Sequence, residues 1–128
     1  MNRTIWMTGA LFGLLAVALG ALGAHALRDM LDPRALESFR TGVLYQMFHA
    51  LFLLFLGGQK ALGKRHQKGI YFLITAGVIC FSFSIYALST QAVTGLDFSG
   101  IALVTPLGGL LLLSGWGWLL YRVFRLLT

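Results

Sequence analysis

The sequence predicts an all-α membrane protein: a four-helix transmembrane bundle with a short amphipathic outer helix between the first two spans. Three observations carry this. Apolar residues make up 58% of the 128 positions and charged residues only 11%, against about a quarter charged in soluble domains. Four long stretches, residues 4–24, 41–59, 69–96 and 98–121, carry no charge at all. The charges that remain are sorted by side.

Each uncharged stretch is long enough for a helix to cross the hydrocarbon core, which takes about 20 residues. The runs are continuous rather than alternating, so they are helices and not barrel strands. The expected spans are 5–24, 41–58, 69–88 and 101–122. No linker separates two units, so residues 1–128 are expected to form a single integral membrane domain.

The first span is expected to be retained in the membrane. Arg3 and the Ala24-His25-Ala26 triplet imitate a signal peptide and its cleavage site. The apolar stretch between them is longer than the about 7–15 residues of a signal core. Within the span, Gly9, Gly13, Ala16, Gly20 and Gly23 recur every three or four residues, which places them on one helix face. Small residues let helix backbones approach closely in lipid. Gly77, Cys80, Ser84 and Ala87 form a similar stripe in the third span, and Gly108 and Gly115 stand seven apart in the fourth. One stripe left over would allow self-association.

Between the first two spans, Asp32-Pro33 is a helix start: an aspartate cap followed by proline at the first helical position. Leu36, Phe39 and Val43 then share a face. The outer helix is expected to rest on the interface or to run into the second span. Glu37 can pair with Arg34 or Arg40. Thr105-Pro106 reads either as a second cap and first-turn proline, which would shorten the fourth helix to about 17 residues, or as a proline kink within a longer helix. Trp116, Trp118 and Tyr121 near its end, and Trp6 in the first span, read as interfacial aromatics.

The net charge of +6 is explained by topology. Arg3, Lys60, Lys64, Arg65, Lys68, Arg122 and Arg125 fall on one side with no acid. Arg28, Arg34 and Arg40 face Asp29, Asp32, Glu37 and Asp97 on the other, a net of −1. Basic short loops stay in the cytoplasm, so both termini are expected there, in a bacterial inner membrane. Lys60, Lys64, Arg65 and Lys68 are expected to touch anionic lipid headgroups. A ten-residue loop offers nothing for base stacking or groove entry, so nucleic acid is not an expected partner.

The polar residues at membrane depth are the candidate site. His49 lies near the middle of the second span. Gln46 and Tyr45 stand three and four residues before it and can share its face, which should point into the bundle. A buried histidine is favoured in its neutral form. His25 and Thr105 are further candidates at the outer end. His25 and His49 together suggest haem or quinone binding, but His49 lies roughly 12 Å deeper at 1.5 Å per residue. Axial ligands of one haem need similar depth. His66 lies across the membrane and reads as solvated. The single cysteine, Cys80, permits no intrachain disulfide and reads as a small packing residue. No metal-ligand set is visible, and no nucleophile motif, phosphate loop or carboxylate pair. No acid stands in any span, which argues against proton transport.

Four segments carry a family resemblance: Ala18-Leu-Gly-Ala-Leu-Gly-Ala-His25, Thr41-Gly-Val-Leu-Tyr-Gln-Met-Phe-His49, Phe81-Ser-Phe-Ser-Ile-Tyr86, and Thr105-Pro-Leu-Gly-Gly109 followed by Gly115-Trp116. In this order they resemble the signatures of domain-of-unknown-function family 423. Its members are YgdD-like small inner-membrane proteins, related to transmembrane protein 256 of animals. The resemblance implies a four-span membrane protein of this length, with no established activity, substrate or cofactor. It groups His25, Tyr45, Gln46, His49, Thr105 and Pro106 as signature positions.

The expected function is therefore that of a non-enzymatic accessory protein without a cofactor. Its expected partners are membrane lipids, another membrane protein or a second copy of itself. A small transporter built around the His49, Gln46 and Tyr45 face is one alternative. A haem- or quinone-binding redox protein is the other.

Overall fold

A computed structural model describes residues 2–128. Four helices are long and apolar enough to cross a membrane, with no strand among the described residues. The helices are α1 (Asn2–Ala24), α2 (Pro33–Gly57), α3 (Lys64–Val78), α4 (Ser84–Ser89), α5 (Gln91–Thr94) and α6 (Val104–Leu127). A five-residue π turn, Ile79–Phe83, joins α3 to α4, so these three segments form one span. The start of α1, the 58–63 connection and the end of α6 lie together at one end of the bundle, here the terminal end. Residues 25–32 and 90–103 close the loop end.

The expected outer helix is the beginning of α2 and is continuous with the second span. Asp32 caps it: its carboxylate accepts from the Ala35 backbone N–H at 2.8 Å, and Pro33 follows as the first helical residue. Leu36 and Phe39 turn inward and pack with Leu27 and Leu31 of the preceding loop. That burial holds the extra turns against the bundle rather than flat on the interface. Glu37 forms no ion pair among the described residues; the pair that forms is a solvated Arg28–Asp29 contact at 3.9 Å. Asp32→Ala is expected to cost about 1 kcal/mol, the usual value of an N-cap. Thermal unfolding in detergent, followed by helical circular dichroism, checks it. An unchanged midpoint would show that packing alone sets this helix start.

Glycines of each stripe pack against a neighbouring helix. The α1 stripe faces α2: a Cβ at Gly9 would meet the Ala50 carbonyl oxygen at 2.9 Å, and one at Gly23 would meet the Phe39 ring at 3.0 Å. Gly77 of α3 faces Leu112 of α6, and Gly115 of α6 faces Ile74 of α3. Two antiparallel helix pairs, α1 with α2 and α3 with α6, therefore interlock backbone to backbone. The core between them contains Ile5, Phe12, Leu53, Leu56, Ile70, Ile74 and Val78, all buried.

The fourth span departs from expectation at its start. Helix α6 begins at Val104, and its cap residue, Leu103, offers no side-chain bond. Pro106 still falls in the first turn, where no intrahelical donor is lost. Thr105 is not a cap, because its hydroxyl is engaged at 2.6 Å with the Ser84 hydroxyl across the helix interface. The helix then runs 24 residues to Leu127, past the basic residues at the terminal end.

Candidate functional site

The three polar residues expected on one face of α2 divide between two environments. Gln46 is 0% exposed and sits in the interior. Its Nε2 donates to the Phe12 carbonyl of α1 at 2.9 Å, and its Oε1 accepts from the Tyr86 hydroxyl of α4 at 2.7 Å. One side chain thus ties three helices. One turn away, the Ser82 hydroxyl of the π turn donates to the Gly42 carbonyl at 2.7 Å. Such bonds count in lipid, where a lost partner is not replaced by water.

His49 is 5% exposed, and both of its ring nitrogens are occupied. Nδ1 lies 2.7 Å from the Tyr45 carbonyl oxygen, to which it donates. Nε2 lies 3.0 Å from Trp116 Nε1 of α6, an obligatory donor, and therefore accepts. The two contacts select the neutral imidazole with its proton on Nδ1. A ring held this way bridges α2 and α6 and has no lone pair left for a metal.

Tyr45 is 39% exposed and points outward. Its ring rests on Phe81 with centroids 4.7 Å apart and stacks beside His49 at 6.2 Å. Its hydroxyl has no hydrogen-bond partner among the described residues. Tyr45, His49, Phe81, Pro106, Gly109 and Trp116, with leucines of α6, line a cleft of about 560 Å³ that opens sideways between α2 and α6. The floor of this cleft depends on the π turn, which pushes Phe81 toward Tyr45. Such turns within α-helices recur at functional sites.

The remaining candidates lie elsewhere. Thr105 is spent on Ser84 and does not line the cleft. His25 is exposed at the loop end, outside the cleft. The pairing of His25 with His49 on one haem thus gains no support from the geometry. No group of three or more metal-capable side chains occurs among the described residues. His66 is not freely solvated: its Nδ1 accepts from Trp118 Nε1 at 3.0 Å. At the loop end, the Ser99 backbone N–H, 2.9 Å away, holds the Asp97 carboxyl below its usual range. The basic residues of the 60–68 stretch separate. Lys60 and Lys64 face a second cavity, while Arg65 stays exposed and the Lys68 ammonium lies 5.9 Å over the Phe72 ring.

Sequence reasoning missed Trp116 as a site residue by treating it as an interfacial anchor. Helix α6 runs six residues beyond Tyr121, so Trp116 lies mid-helix at the depth of His49. Phe81 and Gly109 were quoted only within family motifs. Nothing in the linear pattern announces the π turn that brings Phe81 to the cleft.

This architecture defines a small α-helical membrane protein with four candidate spans and a cleft between α2 and α6. The family described as "Protein of unknown function (DUF423)" matches residues 19–109, and the chain belongs to it. The chain is 37% identical over 118 residues to a UPF0382 membrane protein of Schizosaccharomyces pombe, covering 91% of this chain and 98% of the yeast protein. It is 37% identical over 110 residues to the UPF0382 membrane protein YwdK of Bacillus subtilis, covering 84% and 85%. It is 32% identical over 130 residues to the UPF0382 inner membrane protein YgdD of Escherichia coli, covering 98% and 92%. No solved structure matches the chain.

Proposed function

We propose that this is a non-enzymatic protein of the inner membrane, both termini cytoplasmic, that takes a membrane lipid into the cleft between α2 and α6. The observation that carries this reading is the cleft itself: apolar walls with a few polar atoms, about 560 Å³ in volume. Small-molecule sites are typically about 300–1,000 Å³ and built in this way. The free Tyr45 hydroxyl supports an occupant with one hydrogen-bonding oxygen among apolar carbons, such as an ester carbonyl. The closed hydrogen bonds of His49 support a structural role for that ring and give the transport reading no proton carrier.

Gly109→Leu tests the proposal. The only atom near an added Cβ at Gly109 is Phe81 Cδ1 at 3.9 Å, so the larger side chain enters the cleft without disturbing the helix contacts. The full chain is purified in mild detergent and its bound lipid is extracted and weighed by mass spectrometry. The expected result is a loss of about tenfold in cleft-bound lipid, equivalent to about 1.4 kcal/mol of binding, with an unchanged melting point. Equal lipid in both proteins overturns the proposal.

A further inference from the structure

The cavity at the terminal end is a separate feature, and the fold builds it from distant parts of the chain. Arg3, Lys60 and Lys64 converge there around about 500 Å³, and Asn2 and Gln67 complete the wall. All four acids of the chain, Asp29, Asp32, Glu37 and Asp97, belong to the loop end. Among the described residues the three cations form no ion pair.

Two further observations sharpen the imbalance. Lys64 is the first residue of α3, so a helix N-terminus opens at this cavity. That helix carries no acid in its first turn, and Gly63 gives it no side-chain cap. Such an end carries roughly half a positive charge. Gln67 is 2% exposed, and its one side-chain bond among the described residues is from Nε2 to the Leu56 carbonyl at 2.7 Å. Its amide is thereby anchored in the interior and braces the wall of the cavity. Three cations and an uncapped helix N-terminus around one cavity call for one anion with several acceptor oxygens.

We propose that this cavity binds the phosphate group of an anionic phospholipid. A lipid is favoured over a soluble anion by what lies beside Arg3. Met7, Leu11 and Leu14 follow it at helical spacing and are all exposed. A phosphate held at Arg3 has an apolar stripe along which its acyl chains can run. Neighbouring headgroups then explain why Lys60 and Lys64 differ in role from Arg65 and Lys68, which do not line the cavity.

The test is a titration of the purified full chain with phosphatidylglycerol, reading single-lipid adducts by native mass spectrometry. Arg3→Gln and Lys64→Gln are each expected to weaken the adduct about fivefold, the usual effect of one cation near a charged lipid. Lys68→Gln and Arg125→Gln remove the same charge outside the cavity and are expected to stay within about twofold. Arg3 and Lys64 are exposed, so these variants keep the fold, which the melting point verifies. Equal weakening by all four variants overturns the proposal in favour of diffuse surface attraction. Displacement of the lipid by excess inorganic phosphate alone also overturns it, and assigns the cavity to a soluble anion. Gly109→Leu leaves this adduct intact, so the outcome is independent of the cleft between α2 and α6.

Discussion

Gly108→Ala is expected to destabilise the bundle by about 3 kcal/mol, at the upper end of over-packing costs. Gly108 of α6 lies directly against the backbone of the π turn. An added Cβ would strike the Phe81 amide nitrogen and come within 2.8 Å of the Cys80 carbonyl carbon and the Phe81 Cα. These are backbone atoms and have no rotamer to yield. The helices must move apart, which also withdraws Thr105 from Ser84 and Trp116 from His49. Gly117→Ala is the matched control, because nothing lies within 4 Å of a Cβ there. The comparison is read from thermal unfolding in detergent and from the near-ultraviolet aromatic signal. Equal melting points for the two variants would mean that α6 does not rest on the π turn as described.

Gln46→Leu is expected to cost about 2 kcal/mol. It removes one bond to α1 and one from Tyr86, and it leaves the Tyr86 hydroxyl without its acceptor. Hydrogen bonds within membrane bundles average about 0.6 kcal/mol and reach about 1.7, and a stranded buried hydroxyl adds to that. A double-mutant cycle with Tyr86→Phe separates the terms. The expected coupling is about 1 kcal/mol. Additive losses would show that the Gln46–Tyr86 bond contributes nothing by itself.

Most of the fold is legible in the sequence because hydrophobicity in a membrane acts over whole segments. The uncharged stretches predict four spans, and four are found. The Asp32-Pro33 start is legible because a cap is a local interaction among adjacent residues. Thr105-Pro106 looks the same locally and behaves differently, because Ser84 from another helix competes for the hydroxyl. The site is less legible for a related reason. Helical spacing places Tyr45, Gln46 and His49 near one another, but α2 is surrounded on several sides. Residues 3.6 to a turn therefore separate into interior and cleft. Partners from other helices, such as Trp116 for His49, depend on the depth at which each helix begins. An aromatic near the end of an apolar run is read as an anchor until the true length of α6 is known. The glycine stripes illustrate the same limit. Their presence is visible in one dimension, and their pairing of α1 with α2 and α3 with α6 is not.

The π turn at Ile79–Phe83 sets the angular phase of the third span. An α-helix advances about 100° per residue, so the wide turn adds nearly that rotation between the two halves without breaking the rod. Below it, α3 presents Gly77 and Ile74 to α6; above it, α4 presents Tyr86 to Gln46 and Ser84 to Thr105. A chain shortened by one residue here would remain helical and apolar throughout, and by hydropathy it would be the same protein. Its upper half would nonetheless face the wrong neighbours. The span thus behaves like a two-bit key whose teeth are cut at different angles, with the offset stored in a single extra residue.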